Sequence, residues 1–494
     1  MIKRVVIAGG GTAGWITAAA LSIQMGELLE IILIESDAIG TVGVGEASIP
    51  PMRTFHKLLR IDEQEFMKAT SATFKLGISF ENWGALGDHY LHAFGKAGKE
   101  TWLADFHHFW LCAKEKGLAN DEIGEYCIEH QAAKANKFAT SPDSPISYAY
   151  HLDAGRYAGF LRKISEEKGV TRIEGKITRI NQNSSTGFIE SIDLESGLSI
   201  KGDLFVDCTG FRGLLIEQTL HTGYEDWSHW LPCDSAVAVQ TTAVEPAIPY
   251  TRSISRDYGW QWRIPLQHRV GNGLVYCSRY LSDEKAKENL LQNVVGDPLS
   301  QPRVIKFKTG KRRKFWNKNC VAIGLSSGFL EPLESTSIHL IMMGVTRLMQ
   351  LFPFSGINDS IVNHYNQASS DEFEQIRDFI ILHYKATSRE DTAFWRFCKN
   401  MEIPDTLRQR MNLFVENAQA YQAGGELFRV DSWLQVMMGQ GIMPKSYHPF
   451  ARLMPDNHLR EFLGQLKSQV AQVVNRLPEH ETFIKSYCAF SGTK

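Results

Sequence analysis

The chain has 494 residues, of which 43% are hydrophobic, 22% charged and 11% aromatic, and its formal net charge is −2. This length and composition predict a globular protein with a large core, and the near-neutral charge disfavours nucleic acid and anionic membrane surfaces as partners. No apolar run of about eighteen residues occurs, which disfavours a membrane span.

The eight cysteines are scattered and form no C-x-x-C pair. This spacing indicates reduced thiols in a cytoplasmic protein rather than a disulfide framework or a zinc site. His107, His108 and His339 are not spaced as metal ligands either, and we interpret them as packing or loop residues. We therefore expect no bound metal.

The first predicted element is a strand over residues 3–8, which is followed by a glycine-rich turn and a helical pattern from Gly14 to about Met25. A second buried strand runs from Ile31 to Ile34. A strand, a helix and a second strand in this order predict a βαβ unit.

The turn of this unit has the G-x-G-x-x-G spacing of a dinucleotide-binding loop, in Gly9-Gly10-Gly11-Thr12-Ala13-Gly14. The first glycine permits a tight turn, the second lets a pyrophosphate approach the backbone, and the third lets the helix pack on the strand. The phosphate would lie at the helix N-terminus. Glu35 follows about twenty residues on, where its carboxylate can accept hydrogen bonds from ribose hydroxyls. A purely structural glycine turn is the alternative interpretation.

Further along, residues 41–110 are predicted to mix loops and short helices with many aromatics, 153–168 to be helical and 169–210 to contain strands. The last strand, within 203–210, ends in the D-x-x-G pattern of two-domain flavoproteins, in which it returns to the first βαβ unit. This pattern favours FAD over NAD. An ordinary core strand that ends in a glycine turn is the alternative.

A β-rich stretch is predicted to about Ile323, and the segment 325–344 leads into a long helix. Within the β-rich stretch, the basic run 308–314 is expected to be a solvated loop. From about residue 355 onward the pattern is helical. Its breaks are marked by Pro404, Pro444 and Pro478.

These elements predict an α/β fold with a doubly wound, Rossmann-like FAD-binding domain of the two-domain flavoprotein type, a β-rich substrate region and a mostly helical C-terminal part. We predict one FAD-binding module over residues 1–350, and a helical part over 351–494 that closes the substrate site. The FAD part of the module is predicted to be discontinuous, over about 1–110, 153–215 and 320–350. The β-rich substrate part covers about 216–319.

The string Gly259–Pro265 places Trp260 and Trp262 two residues apart, which directs both side chains to one face of a strand. Two core aromatics on a half-buried strand are the ordinary interpretation. Together with the glycine-rich start, however, this W-x-W-x-I-P string resembles the signature pair of the flavin-dependent halogenases of the tryptophan halogenase family.

The resemblance covers most of the chain, from about residue 3 to 350, in the order of the family's segments, and it weakens in the C-terminal third. The segments that carry it are 43–50, Phe74-Lys75, 80–83, 233–236 and 325–336.

The resemblance implies an enzyme that uses reduced FAD, O₂ and a halide, chloride or bromide, to make hypohalous acid. The acid would then travel through the protein to an electron-rich aromatic small molecule in a separate pocket. No nicotinamide site is apparent, so a separate flavin reductase is implied as the source of reduced FAD. Whether the protein is a monomer or a homodimer stays open.

Lys75 and Glu334 match the family's catalytic lysine and glutamate. A lysine ammonium can polarise hypohalous acid, and a neutral amine could form a haloamine. A carboxylate can stabilise the cationic ring of electrophilic halogenation and remove its proton. From the residues alone, Lys75 would be a solvated surface lysine. Glutamates favoured by a helix dipole are the plain interpretation of both Glu331 and Glu334.

Other residues match further parts of the family's site. Ser335 resembles the residue that links the flavin and substrate sites, and Trp260 and Trp262 match the residues that keep the substrate away from the flavin. His92 and Phe94 match a pair that stacks on an indole ring.

Thr336 and Ser337 would offer backbone N–H groups to the halide at a helix start. The family typically has glycine where Ser337 stands, and serine restricts the backbone there, so the halide geometry stays open. The residues expected to contact FAD are Gly9, Gly11, Thr12, Ala13, Gly14, Glu35, Ser36, Glu46, Ala47, Leu325 and Ile338.

Family members that act on free tryptophan carry a Tyr- and Phe-rich insertion before the segment that matches 433–444. In this chain 421–428 leads almost directly into Ser432-Trp433-Leu434. The departure predicts a more open pocket for indole, a substituted indole or an aromatic group on a larger molecule.

Two other functions remain open. A flavin-dependent aromatic monooxygenase is opposed by the tryptophan pair, because a hydroxylase needs its substrate beside the flavin. A non-catalytic binding protein with an FAD-type fold is opposed by the presence of both Lys75 and Glu334.

Overall fold

The computed structural model describes residues 2–39, 45–101, 104–141 and 143–490. In chain order the strands are β1 Arg4–Ala8, β2 Glu30–Glu35, β3 Gly45–Ala47, β4 Thr73–Lys75, β5 Gly77–Glu81, β6 His89–Ala93, β7 Ala149–Asp153, β8 Thr171–Glu174, β9 Ile177–Gln182, β10 Ile189–Leu194, β11 Ser199–Lys201, β12 Leu204–Asp207, β13 Tyr224–Asp226, β14 Ser235–Thr242, β15 Thr251–Arg256, β16 Gly259–Pro265, β17 Arg269–Tyr276, β18 Arg303–Lys306, β19 Gly310–Arg312, β20 Trp316–Asn317, β21 Cys320–Ala322 and β22 Gly328–Phe329. The helices are α1 Thr12–Met25, α2 Pro51–Leu58, α3 Glu63–Thr70, α4 Phe106–Glu115, α5 Ile128–Lys134, α6 Ala154–Glu167, α7 Asp283–Asn293, α8 Ser337–Gln350, α9 Asp359–Lys385, α10 Ala393–Asn400, α11 Asp405–Asn417, α12 Val430–Gly439, α13 Asp456–Arg476 and α14 His480–Tyr487.

The first sheet has the order β20-β21-β12-β1-β2-β8 among the described residues, and it is parallel except at β20. β1 is an apolar run because helices cover the sheet, and Val5, Val6 and Ile7 are fully buried. Helix α1 connects β1 to β2, and α1 packs on α6 and α8. The predicted βαβ unit is therefore confirmed.

The strand predicted within 203–210 returns to this unit, as expected. β12 pairs in parallel with β1, with Leu204 opposite Val5 and Asp207 opposite Ala8. The predicted helix over 153–168 is likewise present as α6.

The second large sheet has the order β18-β14-β17-β16-β15-β5-β6 in the part of the chain that the structure describes. It confirms the predicted β-rich region, although helix α7 interrupts that region. The prediction of loops and short helices over 41–110 was wrong for β3, β4, β5 and β6. These strands are short, and in β5 every residue from Gly77 to Phe80 is buried, so the sequence lacks the alternation that reveals a half-exposed strand.

The basic run 308–314 is not a solvated loop, because its centre forms β19. Lys311 is 5% exposed and its Nζ lies 3.1 Å from Glu225 Oε2, and Arg312 is 6% exposed and pairs with Glu217 Oε2 at 2.7 Å. Charged side chains can be buried when such partners are present. The sequence did not reveal the partners because they lie far away along the chain.

The C-terminal part is helical, as predicted, and Pro404, Pro444 and Pro478 each lie between consecutive helices. The second half of α9 is buried, from Ile376 to Tyr384, and α12 packs against both α9 and β6. These contacts bring the helical part onto the edge of the second sheet. Over the described ranges, no helix is both long and apolar enough to cross a membrane.

Substitution of glycine by alanine, which adds one methyl group, tests the close contact at the glycine-rich turn. At Gly14 an added Cβ would lie 1.9 Å from the Gly9 carbonyl oxygen, whereas at Gly464 on α13 it would meet open space. We expect Gly14→Ala to lower the free energy of unfolding by about 1–3 kcal/mol. Gly464→Ala should raise it by about 0.5–1 kcal/mol, because alanine favours a helix more than glycine does. Urea unfolding measures both, and an unchanged midpoint for Gly14→Ala would contradict the packing described here.

Candidate active site

Glu334 is the central charged group of the site. It ends the turn Pro332–Glu334 and is fully buried. Its two oxygens lie 3.0 and 2.9 Å from Nδ1 of His92 on β6, and Oε1 lies 2.8 Å from Nε2 of His383 on α9. Burial opposes ionisation, but the two histidines outweigh it and lower the pKa of the Glu334 carboxyl to about 2. The carboxylate is therefore ionised at neutral pH.

His383 makes a second contact. Its Nδ1 lies 2.8 Å from the Phe379 carbonyl oxygen, which can only accept, so Nδ1 is the donor of this hydrogen bond. Nε2 is therefore the ring nitrogen that faces Glu334, at 2.8 Å from Oε1.

Lys75 lies at the end of β4 and is fully buried. Its Nζ donates to Ser335 Oγ at 2.7 Å and to the Ser48 carbonyl oxygen at 3.1 Å, and it lies 5.3 Å from the centre of the Phe94 ring. Burial lowers the pKa of the Lys75 amine to about 7, although the charge of Glu334 opposes this shift. The solvated-surface interpretation of Lys75 is therefore wrong, and both the amine and the ammonium are available at neutral pH.

Ser335 joins the two charged groups, since it follows Glu334 in sequence and accepts the hydrogen bond of Lys75. Its φ of +58° lies in the left-handed region, which costs a non-glycine residue about 1–3 kcal/mol. This turn lets the Glu334 carboxylate reach the histidines while Ser335 Oγ reaches Lys75.

The residues expected to bind halide begin helix α8. Thr336 is its N-cap and Ser337 its first residue, and the first turn contains no acidic side chain. The first N–H groups of a helix have no intrahelical acceptors, and Thr336 Oγ1 is buried without a hydrogen-bond partner. Both features suit a small anion, so the donors present fit a halide.

A cavity of about 670 Å³ adjoins Glu334, and His92 and Phe94 line it. The described residues of its apolar wall include Ile49, Pro50, Met342, Met343, Leu427 and Phe428. The segment 421–428 thus reaches the cavity directly before α12. The predicted stacking pair lies on the wall, and the hydrogen bond from His92 to Glu334 is an addition that the sequence did not predict.

Trp260 and Trp262 lie two residues apart on β16, as predicted, with ring centres 6.1 Å apart. Trp260 Nε1 donates to Glu331 Oε2 at 2.9 Å, and the Tyr384 hydroxyl donates to the same oxygen at 2.6 Å. Glu331 is fully buried, and burial raises the pKa of its carboxyl to about 7. The two neighbouring glutamates therefore serve different partners: Glu331 holds Trp260, and Glu334 faces the cavity.

The glycine-rich turn fits a dinucleotide. Gly9 has a φ of +109°, and a methyl group there would lie 2.3 Å from the Cys208 carbonyl oxygen, whereas one at Gly11 would meet open space. Helix α1 begins directly after Gly11 without a capping side chain or an acid in its first turn, so its N–H groups can receive a phosphate. Glu35 ends β2, where its carboxylate accepts from Arg172 Nε at 2.5 Å.

The other residues expected to contact FAD lie on neighbouring elements. Thr12 and Ala13 begin α1, Ser36 follows β2, Glu46 and Ala47 lie on β3, and Leu325 and Ile338 lie before and within α8. The turn Gly324–Ser326 approaches α1 closely, since a methyl group at Gly324 would lie 2.7 Å from the Ala13 Cβ. Gly43 and Val44 of the family segment 43–50 lie outside the described residues.

The histidines set aside in the sequence are packing residues. His107 Nε2 lies 2.7 Å from the Ala418 carbonyl oxygen, and His339 Nε2 lies 3.1 Å from Glu372 Oε1. In the ranges that the structure covers, no group of three His, Cys, Asp or Glu side chains is arranged to hold a metal ion.

Sequence reasoning missed three residues of the site, namely His383, Phe428 and Arg53. The four-residue spacing of Phe379 and His383 places both on one face of a helix, but nothing in the sequence connects that face with Glu334. Phe428 stacks on Phe379 with ring centres 3.8 Å apart. Arg53 lines the cavity from α2.

Known proteins resemble the chain over its whole length. The family model described as tryptophan halogenase matches residues 4–456. The solved structure of Xcc4156, a flavin-dependent halogenase from Xanthomonas campestris, is 53% identical, with a TM-score of 0.98 over 100% of both chains. BrvH, a flavin-dependent halogenase from Brevundimonas sp. BAL3, is 42% identical, with a TM-score of 0.94 over 99% of this chain and 100% of its own. The 7-chloro-L-tryptophan 6-halogenase KtzR of Kutzneria sp. (strain 744) is 34% identical over 97% of this chain and 98% of its own length.

The lowered pKa of Lys75 makes a prediction about stability. Between pH 7 and the ordinary lysine pKa of 10.5, the unfolded chain holds a proton that the folded protein has released. The free energy of unfolding of the wild type, minus that of Lys75→Met, should therefore rise by about 2 kcal/mol between pH 7 and pH 9. Chemical unfolding of both proteins at each pH measures this difference.

The exposed Lys163 provides the control. The difference in unfolding free energy between the wild type and Lys163→Met should stay constant over the same pH range. A constant difference for Lys75→Met as well would mean that burial does not perturb the Lys75 amine.

Proposed function

Since the chain belongs to the tryptophan halogenase family of flavin-dependent halogenases, we propose that it uses reduced FAD, O₂ and chloride or bromide to halogenate an indolic substrate beside Glu334. The observation that carries this proposal is the buried unit of Lys75, Ser335 and Glu334 at the wall of the 670 Å³ cavity. A buried lysine and a buried carboxylate supply the two functions that electrophilic halogenation needs: polarisation of the halogen donor and removal of the ring proton.

The glycine-rich turn, Glu35 and the turn Gly324–Ser326 would hold FAD. Reduced FAD, supplied by a separate flavin reductase, provides the electrons with which O₂ is activated to oxidise halide to hypohalous acid. The start of α8, with Thr336 and Ser337, would hold the halide.

Lys75 would bind the hypohalous acid on the way to the cavity. As an ammonium it donates a hydrogen bond to the oxygen of the acid, which leaves the halogen more electrophilic. As an amine it could carry the halogen as a haloamine. Its pKa of about 7 makes both forms accessible, and its contact with the Phe94 ring places it beside the cavity.

Glu334 would act on the substrate ring. Attack of the ring on the halogen produces a cation, which the ionised carboxylate stabilises, and the carboxylate then accepts the proton that leaves the ring. His383, whose Nε2 lies 2.8 Å from Glu334 Oε1, would take part in returning the carboxylate to its ionised form. The low pKa of Glu334 keeps the base available throughout the neutral pH range.

Trp260 and Trp262 would separate the flavin from the substrate, so that halide rather than the ring meets the oxidant. The hydrogen bond to Glu331 fixes the orientation of Trp260. This separation opposes an aromatic hydroxylase, whose substrate must lie beside the flavin.

The activity is tested by incubating the protein with a flavin reductase, FAD, NADH and O₂ in chloride or bromide, with indole or tryptophan as substrate. Mass spectrometry should detect halogenated indole, and less halogenated tryptophan, because the chain lacks the amino-acid-binding insertion. A hydroxylated product without halogen would overturn the proposed function in favour of a monooxygenase.

Two variants separate the roles of the charged residues. Lys75→Ala should lower halogenation at least about 10³-fold while flavin oxidation continues, because only the use of hypohalous acid is lost. Glu334→Gln should lower halogenation about 10²–10⁴-fold, because the amide cannot accept the ring proton. Lys163→Ala is the matched surface control and should retain full activity. Undiminished product from Lys75→Ala would remove this lysine from the mechanism.

A further inference from the structure

The cavity beside Glu334 contains positive charge that the halogenation chemistry does not use. Arg53 and Lys57 line it from α2, and Arg429 lines it just before α12. Among the described lining residues, Glu334 is the one carboxylate, and two histidines already pair with it. The lining therefore has an excess of positive charge.

Arg53 is held in place by an aromatic ring rather than by an acid. Its guanidinium carbon lies 3.6 Å from the centre of the Tyr148 ring, within the range of a cation–π contact. Its Nε is buried without a hydrogen-bond acceptor. Buried donors of this kind normally have a partner, so the guanidinium has hydrogen-bonding capacity left for a ligand of the cavity.

Glu63, the carboxylate beside the Tyr148 ring, already has hydrogen-bond partners. Glu63 accepts hydrogen bonds from the hydroxyls of Tyr148, Tyr150 and Tyr487 at 2.6–3.2 Å. Across the described ranges, no ion pair joins Glu63 or another carboxylate to Arg53. The guanidinium of Arg53 is therefore left without an ion-pair partner among the described residues.

Lys57 follows Arg53 by four residues on α2, which places both side chains on one face of the helix. Lys57 is exposed at the edge of the cavity, whereas Arg429 donates to the Phe94 carbonyl oxygen at 3.0 Å and so is partly engaged. Arg53 and Lys57 together are called the basic wall.

We propose that the basic wall binds a carboxylate carried by the substrate, so that the native substrate is an indole-like ring with an anionic side chain. This inference rests on the proposed function. Arginine and carboxylate match in shape and charge through two parallel hydrogen bonds. The cavity volume lies in the range of sites for molecules larger than a bare ring, about 300–1,000 Å³.

The same lining disfavours a free amino acid. An anionic partner would stabilise an α-ammonium group, but Glu334, the one lining carboxylate that the structure describes, already contacts two histidines and receives the ring proton in the proposed function. A carboxylate on a short chain without an amine therefore suits the cavity better than tryptophan does.

Three probes with the same ring distinguish the charges: indole, indole-3-propionate and tryptamine. We expect kcat/KM for indole-3-propionate to exceed that for indole at least about 10-fold, because a hydrogen bond to a charged group contributes free energy of this size. The kcat/KM for tryptamine should be lower than that for indole. Titration calorimetry with indole-3-propionate measures its Kd without any need for halogenation. Its affinity should fall as the salt concentration rises, because the exposed part of the basic wall is screened.

Variants of the basic wall carry the test further. The measured ratio is kcat/KM for indole-3-propionate divided by kcat/KM for indole. Arg53→Met should lower this ratio about 10-fold or more and raise the Kd of indole-3-propionate by a similar factor. Arg53→Lys should restore part of both the ratio and the affinity. Lys57→Met should have a smaller effect because this lysine is exposed. Arg60→Met, outside the cavity lining and just beyond the end of the same helix, is the control and should leave the ratio unchanged.

The outcomes separate this inference from the proposed function. If indole is halogenated but the ratio and the Kd are the same in Arg53→Met, Arg53→Lys and the wild type, the basic wall does not bind the substrate. If no probe is halogenated, the proposed function fails, and the calorimetric Kd values of the variants still decide whether a carboxylate binds at Arg53.

Discussion

The arrangement of the site depends on one constraint, which is that a carboxylate buried in a protein core must be paired. Glu334 is fully buried, and its carboxylate is paired with the imidazole rings of His92 and His383. One histidine comes from an edge strand of the second sheet and the other from the long helix of the C-terminal part. The carboxylate therefore joins two distant parts of the chain at the point where α8 begins. Removing either histidine would leave part of this charge buried without a partner.

Lys75 is the buried basic group that is linked to the Glu334 carboxylate through Ser335. Its burial favours the neutral amine, whereas the nearby carboxylate favours the ammonium, and the two effects leave its pKa near 7. Ser335 connects the two in a left-handed backbone conformation, which serine adopts at a cost. The unfavourable conformation is thus located at the residue through which the lysine and the glutamate are linked. The surrounding buried contacts must hold it in place.

The parts of this architecture that could be predicted from the sequence depend on short-range patterns. The strand, glycine turn and helix at the N-terminus are such a pattern, as are the two tryptophans on β16 and the proline breaks between the C-terminal helices. β5 and β6 were missed because burial of both faces removes the alternation of polar and apolar residues. The burial of Lys311 and Arg312, and the contact between His383 and Glu334, depend on partners far away in the sequence. No local sequence pattern indicates these partners. The family resemblance predicted roles for Lys75 and Glu334, but it did not reveal that histidines from two elements contact the carboxylate of Glu334.

Helix α12 and the residue directly before it are attached to main-chain atoms at the end of β6. Gln435 accepts from the Ala93 N–H at 2.8 Å and donates to the Ala93 carbonyl oxygen at 3.2 Å, and Arg429 donates to the Phe94 carbonyl oxygen. These contacts do not involve residues 421–428. Loop 421–428 can consequently change in length or composition while Lys75, Ser335 and Glu334, which lie on other elements, stay where they are. The lining of the cavity can therefore diverge independently of the charged groups beside it.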